Sequence, residues 1–198
     1  MTRSSPRIRC ALAALNVLVV LTGCGVTGGG APSSTPKGTP SVVDAEGLPS
    51  ITETKAQMLA LIDEVQVAVS AVVPATRPWR WKDHWGSGTC LGDKPFGDDG
   101  VSLNFPNLVS GYSLSEAQWD LVFPRVRDIA VAAGLTEGWS PNDAAGSHDV
   151  RFSSPDGRQL IFVARVATLI SARISCRHKG TESLWIGDEI PMPPDPQP

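Results

Sequence analysis

Thr168-Leu169-Ile170-Ser171-Ala172-Arg173-Ile174-Ser175-Cys176-Arg177 alternates with a period of two. Ile170, Ala172, Ile174 and Cys176 fall on one side, and Leu169, Ser171, Arg173 and Ser175 on the other. Successive side chains of a strand point to opposite faces, so the pattern predicts a strand with one apolar face. Two further runs rich in β-branched and apolar residues precede it, 149–153 and 159–166, joined by Ser154-Pro155-Asp156-Gly157, a tight-turn sequence. Residues 101–105 read as a short strand closed by Pro106, and 184–186 as an edge strand. The sheet these segments form is expected to be antiparallel, because short turns rather than crossover helices connect them.

Two amphipathic helices complete the pattern. In 52–73, Met58, Leu59, Ile62, Val65, Val69 and Val72 recur at three- and four-residue steps. Thr52 is the expected N-cap, Glu53 lies in the first turn, and Pro74 with Arg77-Pro78 ends the helix. In 114–133, Trp119, Val122, Phe123, Val126, Ile129 and Ala133 form the stripe. Either Ser113 with Glu116 or Ser115 with Gln118 makes a capping box, and Gly134 is the C-cap. Pro124 predicts a kink or break near its middle. The expected fold is therefore α+β: two helices packed on one face of a small antiparallel sheet, with one disulfide. The folded domain spans 51–188, and residues 189–198 form a Pro-rich tail, extended and outside the core.

Between the first helix and the sheet lies Trp79-Arg80-Trp81-Lys82-Asp83-His84-Trp85, which holds three of the six tryptophans. Trp79 and Trp81 alternate with charged residues as in a half-buried strand. Trp79, Trp81, Trp85 and His84 are the candidate ligand contacts, as an aromatic platform for a sugar or another planar group. The competing reading packs the three rings around Cys90 as core. Asp83 beside His84 does not orient it as a catalytic pair, and no nucleophile is evident. Asp93, Asp98 and Asp99 in the loop 92–100 have no EF-hand spacing and read as turn residues. No metal site and no cofactor is expected.

The chain begins with Arg3, Arg7 and Arg9 and no acid, followed by the apolar run 11–21 and then Leu21-Thr22-Gly23-Cys24. A basic start and a short apolar run are a secretory signal. The last four residues look like a bacterial lipobox. That likeness implies cleavage before Cys24 and a diacylglyceryl thioether on its sulfur, with fatty acyl groups such as palmitate holding the protein to the membrane. Residues 24–50 are dominated by Gly, Ser, Thr and Pro and read as a flexible tether.

The cysteine count follows from this. Of Cys10, Cys24, Cys90 and Cys176, the first leaves with the signal, 1–23, and the second carries lipid. Cys90 and Cys176 remain in an exported, oxidising setting, where a disulfide is the expected pairing. The three leader arginines also leave, so the rest carries 14 Lys+Arg against 20 acids, a formal charge of −6. A mildly acidic domain is a poor partner for nucleic acid.

The order of these features resembles the mycobacterial and actinobacterial envelope lipoproteins of the LppA/LppV type. The likeness rests on the lipobox at Cys24, on Pro-x-x-x-x-Trp-x-Trp at 74–81 after a helix, and on Cys90. It also rests on the helix entry at Ser115 with Trp119, and on Ala-Thr-Leu-Ile-Ser-Ala-Arg-Ile-Ser-Cys at 167–176 before a Pro-rich end. It spans roughly residues 52 to 195 and implies an envelope lipoprotein; it brings no catalytic residues with it. The expected protein is lipid-anchored at the extracytoplasmic face of the cell membrane and acts by binding a protein or glycan rather than by catalysis. The alternative is a small envelope hydrolase or a ligand or lipid carrier, using the Trp79–Trp85 region with His84 or His148.

Overall fold

A computed structural model describes residues 47–90, 96–138, 140–180 and 190–197, all within the compact unit Ser41–Pro198. The side chains of Asp98, Asn142 and Asp143 are outside this description. The expected signal with Cys24, most of the tether, Asp93, Trp139 and the edge strand at 184–186 also lie outside it.

Two helices pack on an antiparallel sheet of nine strands among the described residues. The sheet is larger than the sequence pattern suggested. Helix α1 is Ile51–Val72 and α2 is Glu116–Ala132. The strands are β1 (Trp79–Lys82), β2 (Gly86–Thr89), β3 (Gly100–Asn104), β4 (Asn107–Ser110), β5 (Thr136–Glu137), β6 (Asn142–Ala144), β7 (Ser147–Ser153), β8 (Arg158–Ala164) and β9 (Thr168–His178).

Strand β9 is the sheet's axis. One edge pairs with β8 over its length, and β8 pairs with β7. The other edge is shared in succession. Residues 168–170 pair with β4, and 173–178 with β3. Phe105, between β3 and β4, still donates its N–H to the Ala172 carbonyl at 3.0 Å, so 100–110 run as one bent strand along β9. Residues 79–89 mirror that bend, β1 pairing with β4 and β2 with β3. The corner falls at Asp83, whose φ of 66° is in the left-handed region that Asp tolerates. Trp85 fills the corner against Phe105, with ring centroids 4.8 Å apart.

The register of β9 slips where it meets β3: Val101 faces Arg177 and Leu103 faces Ile174. Two residues on β3 thus span three on β9, which is a bulge. It corrects one expectation. The alternation through Ile170, Ala172 and Ile174 puts Cys176 on the apolar face, but the extra residue moves Arg177 inward and leaves Cys176 half-buried. Cys176 still bonds Cys90, with Cα atoms 6.0 Å apart and 86 residues between them in sequence.

The helix caps differ in detail from the sequence reading. The N-cap of α1 is Ser50, two residues earlier than Thr52, in a reciprocal capping box with Glu53. The Ser50 backbone N–H and hydroxyl hold the Glu53 carboxyl below its usual range. For α2 the box is Ser115 with Gln118, not Ser113 with Glu116. Helix α2 also runs unbroken through Pro124. The proline cannot donate to the Asp120 carbonyl, but both residues are on the exposed side, where water can serve that carbonyl.

The core lies between helices and sheet. Met58, Ile62, Val65 and Val69 of α1, and Trp119, Val122, Val126 and Ala130 of α2, meet Leu108, Phe152, Leu160, Phe162 and Ile170 of the sheet. Gly157, in the β7–β8 turn, has φ of 84°, and a Cβ there would lie 1.7 Å from Ser175 Oγ, so no other residue fits. Beside it Arg177, 1% exposed, pairs with Asp156 at 3.2 Å, and Arg158 reaches the same carboxylate at 2.9 Å. Burial raises the Asp156 pKa, but the Ser154 hydroxyl and the two arginines outweigh it and hold the carboxyl below its ordinary range.

Candidate functional site

The segment 79–85 divides into two roles. Trp79 belongs to the core, at 1% exposure. Its indole Nε1–H donates to Ser70 Oγ at 2.9 Å, within a buried polar network. Ser70 Oγ also accepts from Gln66 Nε2 at 3.1 Å and lies 3.2 Å from Thr76 Oγ1, which itself donates to the Val73 carbonyl at 2.8 Å. Thr76 has spent its hydrogen, so Ser70 is the donor between the two hydroxyls. Trp79 is thus a pin between β1 and the end of α1, with no face open to a ligand.

Trp81 and Trp85 are different. Both are half-buried at the margin of the helix-sheet layer, where β1 is the outer strand. Trp81 packs against the core and borders a cavity together with Leu59 and Ile62 of α1 and Leu108 of β4. Lys55 of α1 lies over the Trp85 ring, 5.9 Å from its centroid. Neither indole N–H turns inward. Trp81 Nε1 donates to the carbonyl of Pro194 at 3.1 Å, and Trp85 Nε1 to that of Pro191 at 3.2 Å. The Trp81 backbone N–H donates to Asp195 Oδ1 at 2.9 Å, and Arg80 Nε is 3.5 Å from Asp195 Oδ2.

The tail is therefore extended, as its composition predicts, but it is seated along β1 and α1, with Ile190 packed against the core. Its backbone is fixed by sequence. From Ile190 to Gln197 every residue is a proline or precedes one, so φ is locked or the helical region is disfavoured throughout. A polyproline II chain repeats every three residues. Pro191 and Pro194 are three apart, so the two tryptophans take carbonyls from the same side of one turn. Between tail, α1 and Trp81 remains an open cavity of about 330 Å³, walled by Leu59, Ile62, Asp63, Trp81 and Leu108 and bordered by Pro193–Gln197. The signal for this site was in the sequence, in the pairing of a Trp-rich segment with a Pro-rich tail, but no local pattern connects residues more than a hundred positions apart.

The histidines do not join this site. His84 is exposed and lines none of that cavity. His148 is buried on β7, separated from β1 by three strands in the sheet order. Its ring stacks on Trp119 at 4.1 Å and 4°, and its Nε2 is 3.2 and 3.3 Å from the two oxygens of Glu116. That pairing fastens β7 beneath the start of α2. Among the described residues there is no group of three or more His, Cys, Asp or Glu placed to hold a metal ion. Among them, too, no helix is long and apolar enough to cross a membrane.

Fold and site together define a disulfide-tied α+β domain that offers an aromatic groove to an extended chain. The chain belongs to the LppA family, described as lipoproteins confined to pathogenic Mycobacterium, whose profile matches residues 41–179. The groove lies inside that span and the seated tail lies beyond it. In structure the chain is similar to the protein LppA of Mycobacterium tuberculosis, with TM-score 0.53 and 17% identity over 66% of this chain and 79% of that one. It is similar also to a DUF4853 family protein from Actinomyces odontolyticus, with TM-score 0.53 and 15% identity over 77% and 81%. At these identities the likeness concerns the fold. No curated protein matches the sequence.

Proposed function

We propose that this protein is a lipid-anchored binding module of the cell envelope. It is held through acyl chains on Cys24 at the extracytoplasmic face and acts by recognising a partner rather than by catalysis. The observation that carries this reading is the outward use of Trp81 and Trp85. Their indole N–H groups meet the backbone of an extended segment, not the domain's own core. Large aromatic rings with a polar edge are the side chains that dominate recognition surfaces. The family membership and the lipobox sequence support the anchor, and the distance of His148 from the groove supports a non-catalytic role.

Two experiments test the halves of this reading. Cys24→Ala should move the protein from the detergent phase to the aqueous phase on partitioning; unchanged partitioning would overturn the anchor. A photo-cross-linking residue at Leu59, in the groove wall, should give an adduct in the envelope that disappears in a Trp81→Ala background. An adduct pattern indifferent to Trp81 would remove the groove as the binding surface.

A further inference from the structure

We infer that the ligand of the Trp81–Trp85 groove is a proline-rich, polyproline II segment of a partner polypeptide bearing a carboxylate, and that the chain's own tail is its intramolecular competitor. This rests on the reading of the groove as the binding surface.

The seated tail shows what the groove reads. Trp85 takes the carbonyl of residue i, Trp81 that of residue i+3, and Arg80 with the Trp81 backbone N–H takes the side-chain carboxylate at i+4. The carbonyl spacing is one turn of polyproline II, so a chain already held in that conformation meets both donors with little loss of entropy. The carboxylate contact sets register, because among the described residues Asp195 is the tail side chain that hydrogen-bonds β1. The motif is therefore Pro-x-Pro-Pro-Asp or its Glu equivalent, bounded by further prolines.

The tail is a replaceable occupant. It leaves about 330 Å³ open beside the half-buried Leu59, so that side chain has room for contacts the tail does not make. A partner with a bulkier residue at the position of Pro193 or Pro196 gains contacts the tail does not make. The tail also lies outside the family match at 41–179, whereas Arg80, Trp81 and Trp85 lie inside it. A short connection gives a tethered ligand a millimolar effective concentration. If the free segment binds with a Kd on the order of 0.1 mM, the tethered copy weakens a competitor roughly tenfold.

The test uses a fluorescently labelled decapeptide of residues 189–198, Glu-Ile-Pro-Met-Pro-Pro-Asp-Pro-Gln-Pro, and follows its anisotropy. It is titrated with the intact chain, with the chain ending at residue 189, and with the intact Asp195→Ala variant. The truncated chain should bind at least tenfold more tightly than the intact chain, and Asp195→Ala should fall between them. Trp81→Ala in the truncated chain should abolish binding. A peptide with Ala in place of its Asp should bind several-fold more weakly. A thermal unfolding transition establishes that each variant is folded. Should truncation prevent folding, the intact Asp195→Ala variant decides: affinity no better than that of the wild type overturns the inference.

Equal affinity of intact and truncated chains, with Trp81 still required, refutes the competitor and leaves the groove standing as a binding surface. A folded truncated chain that ignores the peptide removes the polyproline ligand. Loss of the Leu59 adduct's dependence on Trp81 removes the groove itself, which separates the two failures. A concentration-dependent dimer of the intact chain that disappears on truncation assigns the groove to the tail of a second copy and overturns the partner.

Discussion

Ser70→Ala is the sharpest test of the division between Trp79 and its two neighbours. Ser70 Oγ is the hub of a buried network, accepting from Trp79 Nε1 and Gln66 Nε2 and donating to Thr76. Alanine removes one oxygen and little volume, so packing changes hardly at all. It leaves the Trp79 indole N–H and one Gln66 N–H without an acceptor in a region where Gln66, Thr76 and Trp79 are 3%, 0% and 1% exposed. An orphaned buried donor costs about 1–3 kcal/mol, so two orphans predict a loss of about 2–4 kcal/mol. With a urea slope on the order of 2 kcal/mol/M, the unfolding midpoint falls by about 1–2 M at unchanged slope. The pairwise share comes from a double-mutant cycle with Trp79→Phe, which lacks the N–H. The coupling should be about 1–2 kcal/mol. A Ser70→Ala loss below about 0.5 kcal/mol would refute the reasoning, because water would then be reaching Trp79 and the ring would not be closed core.

Four further predictions follow the same structure. Oxidised protein should show no thiol reactive at Cys90 or Cys176, and Cys90→Ala with Cys176→Ala should cost roughly 2–5 kcal/mol, read by urea unfolding. Gly157→Ala should cost more than about 2 kcal/mol, since φ of 84° and Ser175 both exclude a Cβ; an unchanged midpoint would contradict the turn geometry. Asp156 has a folded pKa below its unfolded one, so it contributes stability that is complete above the unfolded value, near pH 4. That contribution disappears as pH falls through the folded value. Asp156→Asn should flatten this acid limb and, by leaving Arg177 buried without its carboxylate, cost about 3 kcal/mol at neutral pH.

What the sequence makes legible is what periodicity and end signals encode locally. The stripes of both helices, the hairpin around Ser154–Gly157 and the alternation of 168–174 all carry through to the structure. Features that depend on pairing do not. Strand β2, Gly86–Thr89, has the burial alternation of a strand but the composition of a loop, and only β3 opposite makes it one. The bulge that brings Arg177 inward is invisible in β9 alone, because alternation is a property of one strand and register a property of two. Pro124 misled in the other direction: it and Asp120, whose carbonyl it strands, are both exposed, on the side where water can serve that carbonyl. For the site, Trp81 and Trp85 stood among the candidates, but Trp79 beside them is core. Three tryptophans in seven residues say nothing about which ring meets Ser70 and which meets solvent.

The groove's position on an outer strand makes its occupant matter twice. A bare strand edge is a template for pairing with any extended chain. On β1 the exposed Trp81 N–H is taken by Asp195, and the strand is overlaid by a segment whose prolines cannot pair as a strand themselves. The tail thus guards the edge and occupies part of the groove with one set of contacts. A competing ligand must do both, which favours a proline-rich chain with a carboxylate over a β-strand: only the former offers two carbonyls one turn apart while presenting no row of N–H groups. The lipid anchor proposed for Cys24 then sets the affinity such a ligand needs. Under that proposal, partners confined to the same membrane face would meet at raised effective concentration, and a weak site would suffice for recognition there.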